Sequence, residues 1–178
     1  MQYTPAGAAI TGVVAIGQAA LNDAPKLSTN ANYSVAIGTG AGTNATGLAA
    51  EFVLIGYHAG HKIGGTGVTH IGYDAGQYAS GSYNTFVGAD AGKGGTTSAP
   101  FSTATNNTAV GRQALGGFTT GGNNTAIGSH AGNSVTTGTE NVYLGYLAGY
   151  NATGSESHGI AVGSHAGYQN RMASAVYV

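Results

Sequence analysis

Hydrophobic and polar positions follow one short pattern that recurs nine times: a β-branched residue, a variable residue, a branched aliphatic, then glycine. The glycines are Gly17, Gly38, Gly56, Gly72, Gly88, Gly111, Gly128, Gly145 and Gly163, at intervals of 21, 18, 16, 16, 23, 17, 17 and 18 residues. The aliphatic one place earlier is Ile16, Ile37, Ile55, Ile71, Val87, Val110, Ile127, Leu144 and Val162. The β-branched residue three places earlier is Val14, Val35, Val53, Thr69, Thr85, Thr108, Thr125, Val142 and Ile160. Two such residues around a single spacer repeat with the period of a half-buried strand, and β-branching suits a pleated surface. Each copy therefore predicts a short strand, with this pair turned inward and the residue between turned outward.

Alanine stands three places after every anchor glycine, and glycine follows it in seven copies, the exceptions being Leu21 and Leu115. A small side chain kept at one place predicts a corner where backbones approach closely, with Ala131 in tight contact there. A second corner comes about nine residues after the anchor, at Thr46-Gly47, Gly64-Gly65, Ser80-Gly81, Thr120-Gly121, Thr137-Gly138 and Thr153-Gly154. A weaker inward position lies between them at Ala45, Ile63, Ala79, Phe118, Val135 and Ala152. Repeats of roughly 17 residues with glycine corners and period-2 strands predict an all-β parallel β-solenoid, of the β-helix or β-roll kind, with about nine coils.

Composition sharpens this picture. Charged residues make up 6% of the chain, against roughly 25% in an ordinary soluble domain. Hydrophobic residues still reach 42%, which excludes the high-charge, low-hydrophobicity signature of disorder. Five basic and six acidic residues form no basic cluster, so nucleic acid is not an expected partner. No apolar run approaches the length of a membrane span. A coil this thin buries little surface by itself, which predicts several chains sharing a core, most naturally three. Ile37, Ile55, Ile71, Val87, Val110 and Ile127 are the residues expected in that trimer core.

Breaks in the pattern divide the chain. Residues 1–30 read as an atypical N-terminal coil and joining segment, because the first copy lacks its corner glycine and Asn22-Asp23-Ala24-Pro25 lengthens the interval. Residues 31–167 are the repeat solenoid, with a loop at 93–105 around Pro100. Residues 168–178 read as a C-terminal half repeat, in which Val176 and Val178 occupy the inward pair of a tenth copy. Val176, Tyr177 and Val178 are thus expected to join protomers end to end through main-chain pairing.

The segment Ser34-Val35-Ala36-Ile37-Gly38 resembles the S-V-A-I-G signature of the β-roll heads of trimeric autotransporter adhesins. The longer pattern N-N-T-A-I-G-x-x-A-G with T-T-G between copies, at 123–138, is similar to glycine-rich repeats of bacteriophage tail fibres. These resemblances imply a trimeric structural fibre, a virion appendage or extracellular rod. An alternative is a surface adhesin that binds glycans.

Candidate chemistry is sparse. Asn84, Asn107, Asn124 and Asn141, each four before its anchor, can form an amide ladder from coil to coil. Asn32, Asn44, Asn106, Asn123 and Asn151 begin glycosylation sequons, as expected by chance in a repeat rich in Asn and Thr. Two after the anchor runs His58, Asp74, Asp90, Gln113, His130, Leu147 and His165. These form either a solvated corner, in which His58 and Asp74 pair between coils, or, around a threefold axis, converging histidines able to hold a metal. The glycine-rich 38–42 fails the spacing of a dinucleotide loop. No nucleophile, base and acid set stands out, so no enzyme, cofactor or metal site is expected. Tyr57, Tyr73 and Tyr146, with Tyr150 and Tyr168 beyond the corner, could instead form an outward stripe for sugars or another rod. A third reading is an ice-binding solenoid, which needs threonines facing outward, whereas Thr69, Thr85, Thr108 and Thr125 are expected inward.

Overall fold

A computed structural model describes residues 12–22, 33–44, 51–95, 101–152, 155–169 and 174–178. Its ten strands are β1 (Val14–Ile16), β2 (Val35–Ile37), β3 (Val53–Ile55), β4 (Thr69–Ile71), β5 (Thr85–Val87), β6 (Thr108–Val110), β7 (Thr125–Ile127), β8 (Val142–Leu144), β9 (Ile160–Val162) and β10 (Val176–Tyr177). They stack in sequence order as one parallel sheet, and no helix occurs among the described residues. The fold is an all-β parallel β-solenoid. Equivalent residues pair throughout, from Val14 with Val35 to Val176 with Ile160, although coil length varies. Extra residues are therefore absorbed outside the strands, and register is kept.

The anchor glycines are needed for two reasons. Their φ values lie between 124° and 139°, where a side chain is strained. A Cβ at Gly128 would also fall on the carbonyl oxygen of Gly145 in the next coil, and Gly38 and Gly56 are related in the same way. Each coil also turns through left-handed residues two and four places after the anchor: His58, Asp74, Asp90, Gln113, His130 and His165 occupy the first of these positions. Polar residues tolerate that conformation better than β-branched ones do, which accounts for their recurrence at this corner.

The inward phase is the reverse of the expected one. Ala36, Leu54, His70, Phe86, Ala109, Ala126, Tyr143 and Ala161, the middle residues of strands β2 to β9, are buried. Their neighbours Val35 and Ile37, and the corresponding pairs in β3 to β9, lie half-buried or exposed on the outside of the sheet. The interior is too narrow for two aliphatic columns. Alanines at the corner (Ala41, Ala59, Ala75, Ala91, Ala114, Ala131 and Ala148) and Ile63, Ala79, Phe118, Val135 and Ala152 complete the core. Ala131, expected at a tight corner, is fully buried.

Larger core side chains fit because glycine gives way beside them. A Cβ on Gly92 would enter the Phe86 ring, and one on Gly132 would lie 2.7 Å from Tyr143 and 3.1 Å from Leu115. The two copies that lack this glycine have alanine, Ala15 and Ala109, in mid-strand, and their Leu21 and Leu115 are buried. Volume is exchanged between two positions of the coil, and packing density is kept.

Four asparagines form the expected ladder, fully inside the wall. The side-chain oxygen of each accepts the backbone N–H of the next: Asn84 from Asn107 (2.9 Å), Asn107 from Asn124 (2.9 Å), Asn124 from Asn141 (3.0 Å) and Asn141 from Gly159 (2.8 Å). Within the expected loop at 93–105, Ser102 is buried, pairs with Ala79 and donates to the carbonyl of Phe118 at 2.7 Å. Residues 101–105 thus belong to the solenoid wall, and Pro100 lies outside the described residues. In β10 and the residue after it, Val176 and Val178 are 66% and 99% exposed, whereas Tyr177 packs against the core. Their phase is reversed like that of the other strands.

Candidate functional site: an apolar sheet face and an aromatic corner

Two outward columns cover the sheet. One is aliphatic in every coil: Ile16, Ile37, Ile55, Ile71, Val87, Val110, Ile127, Leu144 and Val162. The other holds Val14, Val35 and Val53, then Thr69, Thr85, Thr108 and Thr125, then Val142 and Ile160. Ile127 is 41% and Leu144 43% exposed, Ile16 in the first coil 57%, and no charged residue stands in either column. Contiguous exposed apolar strips of this kind are characteristic of interaction surfaces. The residues expected in a trimer core are therefore brought together, on the outside of the single chain.

The corner one to five residues after the anchors carries the polar and aromatic groups. At its middle, Lys93 reaches Asp74 at 2.9 Å and Asp90 at 2.8 Å, bridging carboxylates on neighbouring coils. Burial pulls the Lys93 pKa down, but hydrogen bonds and charge from Asp90 and Asp74 outweigh it and hold the ammonium above its ordinary value. Sequence reasoning missed this clamp; its signal was Lys93 three residues after Asp90, on the turn that starts at a left-handed residue. His58 Nδ1 lies 3.8 Å from Asp74, the contact between coils expected for that pair, and its ring stacks on His61 at 4.7 Å. Burial, then the neighbouring His58 and Lys62, lowers the His61 pKa. Among the described residues no group of three or more histidine or carboxylate side chains is placed to hold a metal ion.

Aromatic rings gather on either side of that clamp. Tyr57 stacks on Tyr73 at 5.2 Å and meets the tilted ring of His58 at 3.9 Å. In the later coils Tyr150 stacks on Tyr168 at 5.4 Å, His130 meets Tyr150 at 5.7 Å, and His165 meets both Tyr146 and Tyr168. Tyr57, Tyr73 and Tyr146 are exposed, as expected of an outward stripe. The histidines in these groups were not foreseen as their members, because the contacts join different positions, two with five or with one, within a coil or between neighbours.

His70 stands apart. It is fully buried in the core, stacked on Phe86 at 4.9 Å, with neither ring nitrogen hydrogen-bonded. Desolvation lowers its pKa to about 3. It fills a core position that Leu54 and Phe86 fill in adjacent coils, which makes it a packing residue.

No family model matches the chain, and comparison with curated proteins and with solved structures finds no match either.

Proposed function

We propose that the chain is a structural fibre protein, a rod of a virion appendage such as a bacteriophage tail fibre, in which three copies pack their apolar sheet faces together. The aliphatic column that runs unbroken from Ile16 to Val162 outside the coil carries this reading. Covering such a column returns about 25 cal/mol for each Å² of apolar surface removed from water, without disturbing the interior of any protomer. The similarity of residues 123–138 to tail-fibre repeats supports the placement on a virion.

The test is sedimentation of the wild type against Ile71→Asp. Ile71 is half-buried and outward, so a carboxylate there leaves the single coil folded and places unpaired charge in the assembly core. A trimer that the substitution converts to folded monomers is the expected result. A wild-type monomer at micromolar concentration overturns the reading.

A second reading gains from the reversed phase. Thr69, Thr85, Thr108 and Thr125 form an outward column in consecutive, registered strands, the arrangement an ice-binding face requires. The neighbouring column is aliphatic throughout and favours protein association over ordered water. Thermal hysteresis in the purified protein would reverse that preference.

A further inference from the structure

We propose that the aromatic corner formed by His130, Tyr146, Tyr150, His165 and Tyr168 is a binding surface for a neutral saccharide chain, laid along the rod across three coils. The rings form a connected group: His130 meets Tyr150 edge-on at 67°, Tyr150 and Tyr168 lie nearly parallel at 12°, and His165 bridges Tyr168 and Tyr146. Tyr146 is 52% exposed, His165 is exposed, and the other three are partly exposed, so the group lies on the surface and not in the core.

The chemistry of the surface selects the partner. Ring faces offer flat apolar area, and the hydroxyls of Tyr146, Tyr150 and Tyr168 take no hydrogen bond from the described residues. His130 and His165 are oriented by Ser129 and Ser164 at 2.9 Å each, which leaves the second nitrogen of each ring to face a ligand. A pyranose presents the complementary combination, an apolar C–H face with a rim of hydroxyls, and amphipathic rings bind such surfaces well.

Other partners fit less well. Among the described residues, Arg112, 3.5 Å from His130, is the one cationic side chain in contact with the group, too little charge for a nucleic acid or a polyanionic glycan. Burial and the neighbouring Arg112 lower the His130 pKa, which disfavours a positive charge on this ring. Peptides that bind by strand addition need free main-chain groups. Here the corner N–H groups of Gly149, Asn151, Tyr150 and Tyr168 already donate to Ala166, Tyr168, Leu147 and His165.

The sheet face takes no part in this site, so the two proposals fail separately. The experiment is affinity electrophoresis of the full chain through gels containing, in turn, dextran, yeast mannan, galactomannan, xyloglucan and soluble chitin oligomers. Sedimentation of the same samples is followed in parallel. Wild type is expected to be retarded by at least one of these polymers, and Tyr150→Leu/Tyr168→Leu to lose at least tenfold in apparent affinity while sedimenting as wild type does. Tyr83→Leu, which removes an exposed tyrosine outside the group, should bind unchanged. Retardation that persists in the double variant overturns the proposal, as does migration of the wild type unaffected by all five polymers. Should the double variant sediment abnormally, Tyr150→Leu and Tyr168→Leu are tested singly, and undiminished binding by both, with normal sedimentation, overturns the proposal.

Discussion

Replacing Asn124 by alanine tests the buried ladder at its centre. The Asn124 side chain takes part in four hydrogen bonds: its oxygen accepts the backbone N–H and side-chain Nδ2 of Asn141, at 3.0 Å each, and its Nδ2 donates to Asn107 Oδ1 at 3.1 Å and the Gly138 carbonyl at 2.8 Å. Not all four are lost without compensation. Asn141 Nδ2 still donates to the Glu156 carbonyl at 2.8 Å, and Asn107 Oδ1 still accepts the backbone N–H of residue 124 at 2.9 Å. What remains unpaired is the buried N–H of Asn141 and the Gly138 carbonyl. At about 1–3 kcal/mol for each orphaned buried group, the expected destabilisation is about 2–6 kcal/mol. Urea unfolding followed by far-ultraviolet circular dichroism measures it, with the slope checked for constancy because repeat rods can unfold in parts. The ladder also has a direction: each oxygen accepts from the following coil. Amide exchange should therefore accelerate at Asn141 and stay unchanged at Asn107, whose N–H is held by Asn84. A stability change below about 0.5 kcal/mol, the range of ordinary surface substitutions, would refute the reasoning. Equal acceleration at both amides would refute its direction.

His70→Leu should stabilise the rod by about 1–3 kcal/mol, since it removes two unsatisfied buried nitrogens and puts the residue of the preceding coil in their place. Because the folded-state pKa of His70 is lowered from 6.5 to about 3, the unfolded chain binds the proton first, and stability falls as the pH drops from about 6.5 toward 3. Melting temperatures across that range should decline less steeply for the leucine variant, and parallel curves would contradict this. At the corner, Ala131→Leu should cost about 1–3 kcal/mol or more by overpacking a buried site, and an unchanged melting temperature would place the residue outside any close-packed region.

Much of this molecule was legible along the chain because a solenoid writes its local structure into each repeat. The anchors, the strands and their register, the corner alanines and the asparagine ladder all follow from spacing alone, since each depends on contacts between equivalent positions. The phase of the strands was not legible in the same way. Alternation divides residues into two sets but leaves open which set lies inside, and the large β-branched pair drew the inward assignment. One clue was available. The asparagine of the ladder shares its parity with the mid-strand residue, so a ladder inside the wall places Ala126 inside and Thr125 and Ile127 outside.

Only the tertiary structure decided the rest, and the reason is volume. The cross-section of the coil admits one side chain from each strand, with Phe86 or Tyr143 entering where Gly92 or Gly132 stands beside it, and Leu115 entering where Ala109 leaves room. The same stacking brings Lys93 between Asp74 and Asp90 and His130 against Tyr150. These contacts join different positions of neighbouring coils or depend on how a long side chain lies across the turn, so they require the actual path of the corner. The sequence by itself determined a repeating strand and its partner in the next coil; the width of the coil determined which of its faces was left for other molecules.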